Sequence, residues 1–146
     1  SKERIELDYP AKDWEDAIRC AGKILYDTKT VTEQYVEEMV NSVKKHGPYI
    51  VVCKGMALPH ADCSKGAIEE AASLVRLKTP IEFGSVYNDP VRYVIGMSIK
   101  SAESINQAIY DMMKIFGDEN NMNKFDSLPD EQAVLDMVNS FQKQKI

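Results

Sequence analysis

The chain has 146 residues, a formal net charge of −5, 44% hydrophobic residues and 28% charged residues. That length supports one self-sufficient core, and the composition argues against both a disordered chain and a membrane protein. The acidic balance argues against nucleic acid or acidic lipid as partner, since both call for a cationic footprint.

There is no apolar run of spanning length and no charged-then-apolar leader, so cytoplasm without direct membrane insertion is the expectation. Cys20, Cys53 and Cys63 are odd in number and irregularly spaced, which fits reduced thiols better than a disulfide framework.

After a polar lead-in ending at Tyr9-Pro10, Trp14, Ala17, Ile18, Ala21, Ile24 and Leu25 recur at helical spacing and predict a helix over about 12–26. Thr30 with Glu33, or Thr32 alone, can cap a second helix with apolar face Val36, Met39, Val40 and Val43, stopped by Gly47-Pro48. A first strand is expected over 49–53, where β-branched and aromatic residues follow one another. The run Gly55-Met56-Ala57-Leu58-Pro59-His60-Ala61 is read as a loop. Lys65-Gly66 breaks the chain before a second strand over 71–77, which Thr79-Pro80 ends.

A turn-rich stretch through Gly84, Asn88, Asp89 and Pro90 leads into 91–99, the longest apolar run. Continuous apolarity there implies a central strand covered on both faces. From Ser104 onward Ile105, Ala108, Ile109, Met112, Ile115 and Phe116 line a helix that Gly117 ends, and 121–125 adds a turn or two. Pro129 is placed for the first turn of a last helix with stripe Ala133, Val134, Met137, Val138 and Phe141. Helices flanking a small central sheet make a single α/β or α+β domain over 1–146.

Chemistry concentrates at His60. Pro59 fixes its own φ and biases Leu58 toward an extended backbone, while Gly55, Ala57 and Ala61 leave room for close approach. Three readings stand on the residues alone: a packed or surface histidine with no role, a metal ligand with Cys53, Cys63 and His46, or a nucleophile. The C-x6-H-x2-C spacing matches no regular zinc pattern, and no strand-to-helix elbow surrounds Cys63 as a Cys-His dyad would need. His46 is explained as a cation in a last helical turn, and Lys44-Lys45 and Asp118-Glu119 as solvated helix-end charges.

The run Gly47-Pro48-Tyr49-Ile50-Val51-Val52 followed by Gly55 to Ala61, GPYIV-x3-G-x-ALPHA, resembles the phosphohistidine segment of an enzyme IIA of the sugar phosphotransferase system. The likeness is to the mannitol/fructose type and its ascorbate-like branch, and it extends through Pro80-Ile81-Glu82-Phe83-Gly84, Asn88-Asp89-Pro90-Val91 and the helix from Ser104. It implies a mixed sheet sandwiched by helices and a phosphoryl relay without cofactor or metal. His60 would accept the group from HPr through Nε2. A cysteine of the cognate enzyme IIB would take it for uptake of L-ascorbate or a related pentitol or sugar acid through membrane enzyme IIC. A regulatory module whose partner binding depends on His60 phosphorylation is the alternative.

Two departures from the resembled pattern matter. A second histidine common in relatives is replaced by Ile105, with Ser104 and Asn106 beside it, and an upstream arginine has only Lys44 near its register. Candidates to steady the phosphoryl group are therefore Lys44, the Ala61 amide, Ser98, Ser101, Asn106 and a helix beginning near Gly66. Met56, Leu58 and Ile105 would form an apolar rim for a carrier protein, with core positions as the other reading of Leu58 and Ile105. An apolar flank on the terminal helices would allow a homodimer.

Overall fold

The computed structural model describes residues 2–143, with side chains through residue 141. Among these, strands β1 (Ile5–Tyr9), β2 (Val51–Cys53), β3 (Met56–Ala57), β4 (Ala71–Ile81) and β5 (Val91–Ser98) form one mixed sheet in the order β1-β4-β5-β3-β2. β1 runs parallel to β4 and β3 parallel to β5, whereas β4 with β5 and β2 with β3 are antiparallel. Helices α1 (Trp14–Asp27) and α2 (Glu33–His46) pack on one face. The other face is covered by α3 (Ala102–Phe116), α4 (Glu119–Ser127) and α5 (Glu131–Lys143).

The apolar run at 91–98 is β5, the middle strand, and from Tyr93 to Met97 its side chains alternate between two cores, while Val91 at the register shift breaks the alternation. Val91 and Val94 join the core under α1 and α2, whereas Tyr93, Ile95 and Met97 join the core under α3 to α5. Burial on both faces is why no polar alternation shows in the sequence. Asp13, Thr32, Ser101 and Asp118 cap the starts of α1 to α4, each accepting a backbone N–H with its side-chain oxygen.

Several expectations require correction. The charged lead-in contains strand β1, in which Ile5, Leu7 and Tyr9 alternate with exposed Glu6 and Asp8. Residues 56–57, expected in a loop, form β3 beside β5. β4 continues through Pro80, because its pairing with β5 skips from Arg76 to Ile81 and asks no donor of the proline. α3 starts at Ala102 with Ser101 as cap, two residues before the predicted start at Ser104. No helix begins near Gly66; a three-residue 3-10 turn, Cys63–Lys65, precedes it. Pro129 lies outside α5, since Asp130 accepts the Ala133 N–H at 2.9 Å. Asp118 is not merely solvated: it is the cap of α4.

Candidate functional site

His60 follows β3 at the end of the sheet where β5 finishes, in a segment pinned residue by residue. Leu58 N–H donates to the Ile50 carbonyl at 2.8 Å, and Met97 N–H donates to the Pro59 carbonyl at 3.0 Å. Ala61 N–H donates to the Tyr35 hydroxyl oxygen at 3.2 Å, and that hydroxyl donates to the Met97 carbonyl at 2.6 Å. Tyr35 is fully buried, and desolvation pushes its phenol up, so it stays the neutral donor this arrangement needs. Backbone on both sides of His60 is thereby tied to α2 and β5.

The following loop is tied down as well. Asp62 accepts from the N–H and the hydroxyl of Ser64 at 2.9 and 2.7 Å, which hold its carboxyl below the usual carboxylate range. Gly66 has φ +126°, and a Cβ there would sit 1.8 Å from Thr32 Oγ1. Only glycine permits the Thr32 N–H to reach the Gly66 carbonyl at 2.9 Å, which joins the loop to the start of α2.

The half-buried His60 ring places Nδ1 2.7 Å from the Leu58 carbonyl oxygen. A carbonyl can only accept, so in the neutral ring the proton resides on Nδ1 and Nε2 carries the free lone pair. Tyr49 stands perpendicular to this ring, with centroids 5.9 Å apart at 87°, and His46 stands 6.3 Å beyond Tyr49 at 81°. In this tautomer of the neutral ring, Nε2 is the nitrogen able to act as a nucleophile.

The sequence profile of the phosphoenolpyruvate-dependent sugar phosphotransferase system, EIIA 2, matches residues 1–141. The chain belongs to this family. It is 33% identical over 135 residues to the ascorbate-specific PTS system EIIA component of Shigella boydii, covering 92% of this chain and 88% of that one. The counterpart of the same name in Escherichia coli is 32% identical over 135 residues, with the same coverage. Among solved structures, the mannitol-specific cryptic phosphotransferase enzyme IIA CmtB of Escherichia coli superposes with a TM-score of 0.80 at 28% identity, covering 93% of this chain and 92% of that one. EIIA components of this kind are phosphotransferases, in line with the relay expected from the sequence.

The structure scatters the other expected site residues. Ser98 is fully buried and its hydroxyl donates to the Thr30 carbonyl at 3.3 Å, so it is spent on packing the loop. The Ala61 amide is engaged by Tyr35, as above, and is not an open anion donor. Lys44 Nζ lies 3.3 Å from Glu15 Oε1, drawn toward α1 by that carboxylate. Ser101 accepts the Ser104 N–H at 3.2 Å as the cap of α3. Asn106 is exposed on α3.

Met56 and Leu58 do not form a rim: both are fully buried in the core under α3 to α5, because the pleat of β3 and its extension turns them inward. Ile105 is half-buried against that same core. Cys53, Cys63 and Cys20 are free thiols, and burial pushes the Cys53 thiol up and Cys20 to about 12. Among the described residues no group of three or more His, Cys, Asp or Glu could hold a metal ion, and no helix is long and apolar enough to cross a membrane.

Sequence reasoning missed Tyr35 and Tyr49. Tyr35 borders the α2 apolar stripe, yet its hydroxyl partners lie 26 and 62 residues away, a separation no local pattern reveals. Tyr49 shows in the sequence only as a β-prone residue within the GPYIV run, with nothing to link it to His60.

Proposed function

We propose that the chain is a cytoplasmic phosphocarrier in which His60 Nε2 takes a phosphoryl group from phospho-HPr and yields it to a cysteine of a cognate enzyme IIB. The observation that carries this reading is the 2.7 Å contact from Nδ1 to the Leu58 carbonyl, which leaves Nε2 as the nucleophilic nitrogen. In the first transfer the Nε2 lone pair attacks phosphorus as the bond from phosphorus to the carrier's ring nitrogen breaks. The imidazole then carries positive charge, and the Nδ1–H bond to Leu58 becomes charge-assisted and stronger. In the second transfer a cysteine thiolate attacks phosphorus and the electron pair returns to Nε2.

Both steps are in-line displacements that depend on a well-aimed ring, which the bonds at Leu58, Pro59 and Ala61 support. Asn106, exposed on α3, is the side chain assigned to the phosphoryl oxygens in place of the missing histidine, and Ile105 is assigned to partner contact. The likeness to the ascorbate-specific components supports L-ascorbate or a related sugar acid as the transported compound, through a membrane enzyme IIC.

Incubation with phosphoenolpyruvate, enzyme I and HPr tests this. The wild-type chain takes up one acid-labile phosphate and His60→Ala takes up none; equal labelling of both would refute it. Addition of an ascorbate-type and a mannitol-type enzyme IIB then sorts specificity, with label leaving His60 for the ascorbate type.

A further inference from the structure

We propose that Tyr49 is a positioning residue for His60: held by Ser42, its ring keeps the imidazole in the orientation in which Nδ1 meets the Leu58 carbonyl. This rests on the phosphocarrier reading only for its functional consequence. A single hydrogen bond leaves an imidazole free to swing about its terminal torsion, whose energy wells are broad. A perpendicular neighbour at 5.9 Å and 87° supplies the second constraint, at the separation and angle that aromatic pairs favour.

Tyr49 is 45% exposed, so core burial does not account for its fixed place. Two contacts with α2 do. Its hydroxyl oxygen lies 2.7 Å from Ser42 Oγ, and its ring stands 6.3 Å from His46. Gly47 makes this return possible: with φ +81° it ends α2, and a Cβ there would meet nothing within 4 Å, so the conformation rather than the space calls for glycine. Pro48 then directs the chain back, and the α2 C-terminal turn, Tyr49 and His60 form a row of rings. Tyr49 thereby sets the direction in which the Nε2 lone pair points, which an in-line transfer reads directly.

The test compares wild type with Tyr49→Leu, Tyr49→Phe and Ser42→Ala. Two quantities are measured: the His60 ring-nitrogen shifts in 15N-labelled protein and the rate of labelling by phospho-HPr, with thermal melts as a check on folding. Tyr49→Leu is expected to mix the two neutral tautomers and to slow labelling about tenfold. Tyr49→Phe, which keeps the ring and loses the tether, recovers most of that rate and behaves like Ser42→Ala. Wild-type nitrogen shifts in Tyr49→Leu would overturn the proposal, whatever happens to the rate. If the wild-type chain takes no phosphate, the phosphocarrier reading fails, while the nitrogen shifts still decide the role of Tyr49.

Discussion

The two faces of the sheet are built differently. Under α1 and α2 the core includes buried hydroxyls: Tyr35 on Met97, Ser73 on the Ala21 carbonyl at 2.8 Å, Ser98 on Thr30, and Thr30 on the Leu25 carbonyl at 2.9 Å. Under α3 to α5 an aromatic cluster dominates, with Phe125 stacked on Phe116 at 4.8 Å and on Phe141 at 6.4 Å. A cavity of about 290 Å³ remains on that side, lined by Ile5, Leu74, Ile95, Ile115, Phe116 and Val138 among others. On the same face, buried Arg76 closes the end of α4, donating to the Phe125 and Leu128 carbonyls at 3.0 and 2.9 Å.

The buried hydroxyls that hold the His60 segment lie on the first face, whereas on the second the hydrogen bonds of Arg76 and of Tyr93 to Asp126 tie α4 to the sheet, away from His60. A hydrogen bond fixes a backbone atom to a few tenths of an ångström, whereas apolar contact tolerates sliding and partial voids. The comparison teaches that stability and site geometry are separable in this fold, and substitutions on the two faces should show it.

The largest effect on stability is expected from the aromatic face. Phe125→Ala should cost about 3–5 kcal/mol in denaturant unfolding, yet leave the labelling rate of the folded fraction unchanged. Tyr35→Phe should cost about 2 kcal/mol, because the buried Ala61 N–H and Met97 carbonyl lose their partner, and it should also slow labelling of His60. If Phe125→Ala slowed labelling of folded protein more than Tyr35→Phe, the division between faces would fail.

Smaller effects sharpen the same comparison at the surface. The Lys12 N–H first, and the Tyr9 hydroxyl as well, hold the Asp16 carboxyl below its usual range against the opposing cost of burial. A depressed folded pKa contributes stability above the unfolded value near pH 4, and loses it as pH falls through the lower folded value. Asp16→Asn should flatten the acid limb of the stability curve in urea titrations between pH 5 and about pH 2 without touching transfer. The hydrogen bond to Asp16 pushes Tyr9 from 10.0 up to about 12, so its contribution is present below pH 10 and lost as pH rises through about 12. Least of all, Lys44→Ala should leave the urea midpoint and the labelling rate close to wild type, since its pair with Glu15 lies at the surface.

Much of this was legible in the sequence because it is local. The stripes of α1, α2, α3 and α5, the stop at Gly47-Pro48 and the doubly buried β5 all show as periodicity or punctuation within a dozen residues. The alternation of β1, Ile5-Glu6-Leu7-Asp8-Tyr9, is present in the sequence, but the run is only five residues long and its parallel partner 69 residues away leaves no hairpin signal. β3, at two residues, is shorter than any pattern. At the site, His60 stands out through Pro59 and its small neighbours, whereas the groups that hold it come from α2, the turn before β2, and β5. Leu58 and Ile105 read equally well as rim or core and Met56 as rim; the pleat direction, which the sequence leaves open around so short a strand, places Met56 and Leu58 in the core.

The most direct measurement is 15N and 31P NMR of the chain phosphorylated by phospho-HPr. The expected spectrum shows one phosphorus coupled to Nε2 of His60, with Nδ1 still protonated on the Leu58 carbonyl. Phosphorus on Nδ1, or on any residue other than His60, would contradict it.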